Sequence, residues 1–212
     1  MNLIFARHGN TFGPGDKVVW VGRETDLPLV ARGEEQASEA AEALRSAGLV
    51  PTSVTSGTLK RTRGFAGIVR DALCPQVTAA QDPRLDEIDY GAWAGLSSEE
   101  IAALPGGTAM AEAWQKEDVW PEGAGWRSTQ AEILDALRSF LDDVLASAKD
   151  GETRLIVSSN GTLRFVPRLL GIAAPGASYQ MKTGHLGMVR RDADGTLKLV
   201  CWNAKPAEFR IA

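Results

Sequence analysis

The run Arg7-His8-Gly9 combines residue types that could bind and attack a phosphoryl group. It directly follows the apolar stretch 1–6, which is typical of a buried strand that delivers polar groups to a loop. A lone histidine is more often structural than catalytic. Here a neighbouring guanidinium favours the neutral, nucleophilic imidazole, because a second positive charge is disfavoured. We therefore expect His8 to be a nucleophile, with Arg7 holding the phosphoryl group by a two-point contact.

Two further segments carry charge suited to phosphoryl transfer. Arg61 lies at the predicted beginning of a helix, where a cation opposes the helix dipole unless an anion is nearby. It is therefore a candidate second phosphate ligand, although a merely solvated basic helix end would have the same composition. Glu87 lies in the acidic stretch 86–89 and is the candidate general acid and base. The alternative for that stretch is a plain polar loop.

Strand and helix patterns alternate along the chain, which predicts an α/β fold with a mostly parallel sheet. In such sheets ligands bind at the carboxyl ends of the strands. We expect strands in 1–6, 53–56, 77–80 and 154–158, and a hairpin in 186–201 around Asp194-Gly195. We expect helices in 31–47, 58–73, 129–148 and 162–170, and one that begins at a capping box, Ser97 to Glu100. The segment 97–127 is predicted to be a small inserted cap in a single domain of residues 1–212.

Composition narrows the classes of partner and compartment. The chain has 212 residues and a formal net charge of −4, and no basic stripe is present, which argues against nucleic acid as a partner. The two cysteines, Cys74 and Cys201, have no metal-ligand spacing, which is typical of reduced thiols in a cytoplasmic protein. No apolar run approaches the roughly 20 residues of a membrane span. A soluble, cytoplasmic protein is expected.

Four ordered blocks resemble the histidine phosphatase superfamily, the phosphoglycerate mutase-like proteins. The first is Leu3-Ile4-Phe5-Ala6-Arg7-His8-Gly9-Asn10-Thr11, similar to the family's RHG signature. The others are the stretch 26–37, with Asp26, Pro28, Gly33 and Gln36-Ala37; Leu59-Lys60-Arg61; and the block 85–96, with Glu87, Tyr90-Gly91 and Gly95-Leu96. The resemblance implies a three-layer α/β/α fold with a mostly parallel central sheet and a small inserted cap segment.

The resemblance also implies roles for individual residues. His8 would be phosphorylated, and Glu87 would protonate the leaving group. Arg7 and Arg61 would bind the phosphoryl oxygens, with Asn10 and Thr11 beside them as substrate-binding residues. No metal and no cofactor are implied, since arginines and imidazoles would balance the charge of the transferring group.

One expected partner is missing from the pattern. The family has a second histidine in a V-S-H-G turn, whereas this chain has Ser158-Ser159-Asn160-Gly161. Ser159 or Asn160 could donate a hydrogen bond to a phosphoryl oxygen there, without positive charge. The only other histidine, His185, opens a strand predicted to run antiparallel to the first, so it could face His8 instead. The sequence does not decide which of Ser159, Asn160 and His185 replaces the missing histidine.

These features predict a phosphatase that acts on a small phosphomonoester through a phosphohistidine at His8. A catalytically weak relative that binds a phosphorylated ligand is the alternative, and a phosphomutase is less favoured because the second histidine is missing. The partner would be a small phosphorylated substrate or inorganic phosphate; a homodimer is left open. Trp93, Trp114, Trp120 and Trp126 are expected to pack in the interior. If some line the cleft, they would favour an organic phosphate with an apolar or ring-containing body.

Overall fold

A six-stranded mixed sheet forms the centre of the molecule. The computed structural model describes residues 1–210, so residues 211–212 of the predicted domain lie outside the described residues. Within 1–210 the strands are β1 (Asn2–Arg7), β2 (Ser53–Ser56), β3 (Ala79–Gln81), β4 (Thr153–Ser158), β5 (Leu186–Arg191) and β6 (Leu197–Ala204). Their order across the sheet is β3-β2-β4-β1-β5-β6. Strands β1 to β4 are parallel, and β5 and β6 are antiparallel additions, so the predicted mostly parallel α/β sheet is confirmed.

Helices cover both faces of this sheet. They are α1 (Ala31–Ser46), α2 (Lys60–Leu73), α3 (Ser98–Ala102), α4 (Gly107–Glu117), α5 (Gln130–Ala146), α6 (Asn160–Leu163) and α7 (Val166–Leu169). Side chains of β1 alternate between the two faces, as a strand requires. Leu3 and Phe5 pack in one core with α5, whereas Ile4 and Ala6 pack in the other with α1 and α2. None of the helices in residues 1–210 has the length and apolarity that crossing a membrane requires.

Local sequence signals explain where several helices begin and end. The predicted capping boxes at Ser97 and Thr129 are both formed, with Glu100 and Glu132 returning hydrogen bonds to the cap backbone. Helix α1 ends before Gly48, which has a φ of +68° and allows the chain to reverse. The prediction of a single helix over 162–170 is wrong, because two short helices, α6 and α7, form there instead.

The predicted cap segment contributes to the core. It contains helix α4, which composition did not indicate. Trp114 and Trp120 of this segment are buried and meet edge to face at a centroid distance of 5.8 Å. Trp126 meets Trp114 at 5.0 Å and Trp120 at 4.8 Å. The prediction that these side chains pack in the interior is confirmed for Trp93 and Trp120, and Trp126 is half-buried beside them. Trp114 is buried but also lines the cavity described below.

The sheet places its functional edge between β1 and β4. Helix α1, which follows β1, packs on one face, and α6, which follows β4, packs on the other through Leu163. Neighbouring parallel strands whose connections lie on opposite faces leave a crevice at their carboxyl ends. Arg7 and Ser158 end these two strands and are register partners. The residues that follow them therefore meet at this crevice.

Candidate active site

His8 follows β1 directly and lies at the floor of the crevice. Its backbone N–H donates to the carbonyl of Ser158 at 3.1 Å, which ties it to the end of β4. Its imidazole Nδ1 lies 2.7 Å from the carbonyl oxygen of Gly9. A carbonyl accepts only, so Nδ1 carries the proton and the lone pair is on Nε2. The side chain is 6% exposed.

The electrostatic surroundings keep this imidazole neutral. Burial lowers the pKa of His8 well below 6.5, and the charges of Arg7 and Arg61 lower it further. The hydrogen bond to Gly9 opposes this shift but is the smallest of the four contributions. Neutral imidazole with a fixed tautomer is the form that acts as a nucleophile.

Two arginines lie beside His8, Arg61 fully buried and Arg7 partly buried. Arg7 donates from Nη1 to the carbonyl of Met181 at 2.7 Å, and its Nε is buried without a hydrogen-bond partner among residues 1–210. Arg61 donates to the carbonyls of Thr25 (2.9 Å) and Gly22 (3.1 Å). Burial lowers the pKa of both guanidiniums below the usual arginine value, with the carboxylate of Glu87 opposing that shift. Both remain cations at neutral pH and are oriented by backbone carbonyls rather than neutralised by a direct ion pair.

The carboxylate of Glu87 is held by backbone donors. Its Oε1 accepts from the N–H of Ile88 at 3.0 Å, and its Oε2 accepts from the N–H of Gly161 at 3.3 Å. Burial, followed by the charge of Glu87, raises the pKa of Tyr90 well above 10, so the phenol beside this carboxylate stays protonated. A Cβ on Gly161 would lie 2.2 Å from Oε1, so only glycine fits there.

Neutral polar groups complete the floor. Asn160 accepts through Oδ1 from the backbone N–H of Met181 at 2.8 Å. Only the oxygen of the amide can accept, so its Nδ2 is left to donate elsewhere. Thr183 donates to Oδ1 of Asn10 at 2.6 Å, and Gln36 donates to the carbonyl of Thr183 at 3.2 Å.

These groups open into one cavity of about 400 Å³. Of the nine residues predicted for the site, it brings together the following seven: Arg7, His8, Asn10, Thr11, Arg61, Glu87 and Asn160. Sequence reasoning missed the apolar lining at Val18, Val19, Trp20 and Val21. The signal was available, because this is an apolar run inside an otherwise polar loop.

The structure does not bring His185 or Ser159 into this lining. The backbone carbonyl of His185 accepts from the N–H of Arg7 at 3.2 Å, but its Nδ1 lies 2.9 Å from the carbonyl oxygen of Asn203 on β6. The prediction that its imidazole faces His8 is not supported, since the side chain bonds to the neighbouring strand. Ser159 is fully buried, and its hydroxyl has no partner among the described residues. Within residues 1–210, no three His, Cys, Asp or Glu side chains cluster as metal ligands would.

The fold and site together define an α/β protein whose crevice joins a neutral histidine, two arginines and a carboxylate. The model of the histidine phosphatase superfamily (branch 1) matches residues 3–205. The chain therefore belongs to the histidine phosphatase superfamily, and the resemblance seen in the sequence is confirmed.

Proteins similar to this chain are named as probable phosphoglycerate mutases or as phosphatases. A probable phosphoglycerate mutase GpmB of Yersinia enterocolitica is 30% identical over 200 residues, 91% of this chain and 85% of that protein. Its namesake from Proteus mirabilis is 30% identical over 178 residues, 82% and 77% of the two chains. The structure of a mycobacterial glucosyl-3-phosphoglycerate phosphatase has a TM-score of 0.76 at 22% identity, covering 96% of this chain and 98% of that one. The α-ribazole phosphatase of Shigella flexneri has a TM-score of 0.73 at 22% identity, covering 97% of each chain. At 22% identity, these two structural matches show a shared fold alone.

Proposed function

We propose that this protein is a phosphomonoesterase that works through a phosphohistidine at His8. The observation that carries the proposal is the hydrogen bond of 2.7 Å between Nδ1 of His8 and the Gly9 carbonyl. It leaves an unprotonated Nε2 at the floor of a cavity whose charged lining groups, among residues 1–210, are Arg7, Arg61 and Glu87. A dianionic phosphate ester is attracted to the two cations, which cancel its charge as the nucleophile approaches.

The reaction then has two steps. In the first, Nε2 of His8 forms a bond to phosphorus while the ester P–O bond breaks, and the leaving alkoxide takes the proton that the Glu87 carboxylate has gained from solvent on binding of the dianionic ester. In the second, a water molecule attacks the phosphohistidine, and the Glu87 carboxylate accepts its proton. The N–P bond breaks, which releases inorganic phosphate and restores neutral His8. The carbonyl of Gly9 accepts a hydrogen bond from Nδ1 throughout and stabilises the positive charge on the phosphorylated ring.

Asn160 is the residue we assign to the place of the missing histidine. Its Oδ1 is occupied by the backbone of Met181, and its Nδ2 therefore donates towards the phosphoryl oxygens from the cavity wall. An amide donor is neutral. The site therefore holds the phosphoryl group with one positive charge fewer than a site that has a second imidazolium. His185 is not part of this proposal, because its ring bonds to Asn203 instead.

The two histidines of the chain offer a matched test. His8→Ala is expected to abolish hydrolysis of p-nitrophenyl phosphate, whereas His185→Ala, which removes the same ring outside the cavity, should retain it. Rapid denaturation with detergent at alkaline pH after mixing with labelled substrate should trap an acid-labile, base-stable phosphoryl label in the wild type and not in His8→Ala. Turnover that survives His8→Ala would refute the proposal. Binding of phosphate esters without turnover of any would favour a phospho-ligand-binding relative instead.

A further inference from the structure

The cavity has two chemically different ends. The floor, formed by Arg7, His8 and Arg61, would receive the phosphoryl group under the proposed function, on which this inference rests. Apart from Glu87, most of the remaining wall is apolar or aromatic, and its polar side chains are uncharged. It is lined by Phe12, Val18, Val19, Trp20, Val21 and Trp114. The group that a substrate carries beyond its phosphate must therefore lie against this wall.

The apolar wall is held in place by its own contacts. The backbone of Trp20 donates to the carbonyl of Leu96 at 2.9 Å and accepts from the N–H of Gly95 at 2.9 Å. Its ring meets those of Tyr90 and Trp93 edge to face, each at a centroid distance of 5.2 Å. A wall that is already ordered loses little conformational entropy when a ligand binds.

No cation of the described residues 1–210 remains in this lining once the phosphate is bound. Arg7 and Arg61 are its only cations, and both belong to the floor. Lys17, next to the wall, is paired with Glu100 at 2.7 Å. The polar groups among the wall residues are neutral, and they are Ser98, Gln115 and Gln180. A second anionic group on the substrate would lose hydration there without gaining an opposite charge.

We infer that the substrate is a phosphomonoester of an apolar or aromatic alcohol without a second anionic group. A cavity of about 400 Å³ accommodates a ring or a short alkyl chain in addition to the phosphate. A phosphoglycerate does not belong to this substrate class, because its carboxylate would face the valines and Trp20.

A homologous series of alkyl phosphates tests the wall directly. From propyl to hexyl phosphate, each added methylene should raise kcat/KM about fourfold, until the wall is filled. 1-Naphthyl phosphate should be cleaved at least about tenfold more efficiently than 3-phosphoglycerate. A flat alkyl series, or 3-phosphoglycerate as the better substrate, would overturn the inference while leaving the phosphatase proposal intact.

A charge placed on the wall should reverse the preference. Val18 is 65% exposed, so Val18→Lys is compatible with folding. It should lower kcat/KM for hexyl phosphate about tenfold and raise it for 3-phosphoglycerate. Val50→Lys is the matched control, because Val50 is 50% exposed and lies outside the cavity. Identical effects of both substitutions on both substrates would show that Val18 does not contact the substrate.

Binding separates this inference from the proposed reaction. If no ester is hydrolysed, the phosphatase proposal fails, and calorimetry of the wild type with non-hydrolysable phosphonates still tests the wall. Hexylphosphonate should bind at least about tenfold more tightly than 2-carboxyethylphosphonate. Equal or reversed affinities would overturn the inference.

Discussion

Gly161→Ala provides a geometric test of the role of Glu87. A methyl group at Gly161 would lie 2.2 Å from Oε1 of Glu87 and 2.7 Å from the hydroxyl oxygen of Tyr90. Carbon and oxygen rarely approach closer than about 3.3 Å, so the carboxylate would have to move by roughly 1.1 Å. A misplacement of about 1 Å at a reacting group costs on the order of 100-fold in rate. We therefore expect a loss of this size wherever catalysis needs the proton of Glu87.

The assay compares two kinds of leaving group. An alkoxide needs protonation as it departs, whereas p-nitrophenolate does not. Gly161→Ala should thus lower kcat/KM for alkyl phosphates about 100-fold and affect p-nitrophenyl phosphate only slightly. Glu87→Gln, which removes the proton without adding volume, should show the same dependence on leaving group. Equal losses for both substrates, or no loss for the alkyl ester, would refute this account of Glu87.

Stability has to be followed in parallel, because the methyl group also crowds the interior. Overpacking costs about 1–3 kcal/mol, and urea denaturation of Gly161→Ala should show a loss in this range. Gly67→Ala is the matched control. Gly67 lies in α2, and no atom of the described part of the chain lies within 4 Å of a Cβ added there. That variant should keep full activity and gain about 0.5–1 kcal/mol in unfolding free energy.

Three further predictions concern stability. Asp118→Ala should lower the unfolding free energy by about 3–5 kcal/mol in urea denaturation, because it leaves buried Arg164 without its carboxylate partner; a change below about 1 kcal/mol would contradict this. His8 stays neutral in the folded state, and the unfolded chain gains its proton below pH 6.5. Stability should therefore decrease as pH falls below that value, by up to about 1.4 kcal/mol per pH unit more in the wild type than in His8→Gln, and equal slopes would refute the burial argument. Thr129→Ala should cost about 1 kcal/mol, since it breaks the capping box with Glu132; an unchanged denaturation midpoint would show that the cap contributes nothing.

The parts of the site that follow from local sequence were predictable. His8 comes directly after a short apolar strand, and the residues next to it in sequence determine where that strand ends and the loop begins. Arg61 stands in the first turn of α2, as its position near a predicted helix start indicated. Its burial was not predictable, because it depends on the carbonyls of Gly22 and Thr25, which belong to a distant loop.

The position of His185 depends on more than its place in the chain. The prediction that β5 runs antiparallel beside β1 is confirmed, and the backbone of His185 does lie next to Arg7. In a strand, however, a shift of one residue moves a side chain to the other face. The pairing of β5 with β6 is irregular between Leu186 and Val189, just after His185. No periodicity in the sequence reveals such an irregularity, so the side-chain direction could not be derived from it.

Backbone hydrogen bonds of Met181 order the part of the site in which this sequence lacks the second histidine of the family pattern. Its carbonyl accepts from Arg7 at 2.7 Å, and its N–H donates to Asn160 at 2.8 Å, so one peptide segment orients two of the groups assigned to phosphate binding. That segment is itself anchored, since buried Asp118 accepts from the backbone N–H of Tyr179 at 3.2 Å and also pairs with Arg164. An asparagine is suited to this arrangement because its oxygen and nitrogen can face opposite partners, whereas serine at the neighbouring position offers a single atom. In this chain, backbone hydrogen bonds thus orient Arg7 and Asn160, and such bonds leave no signature in residue types.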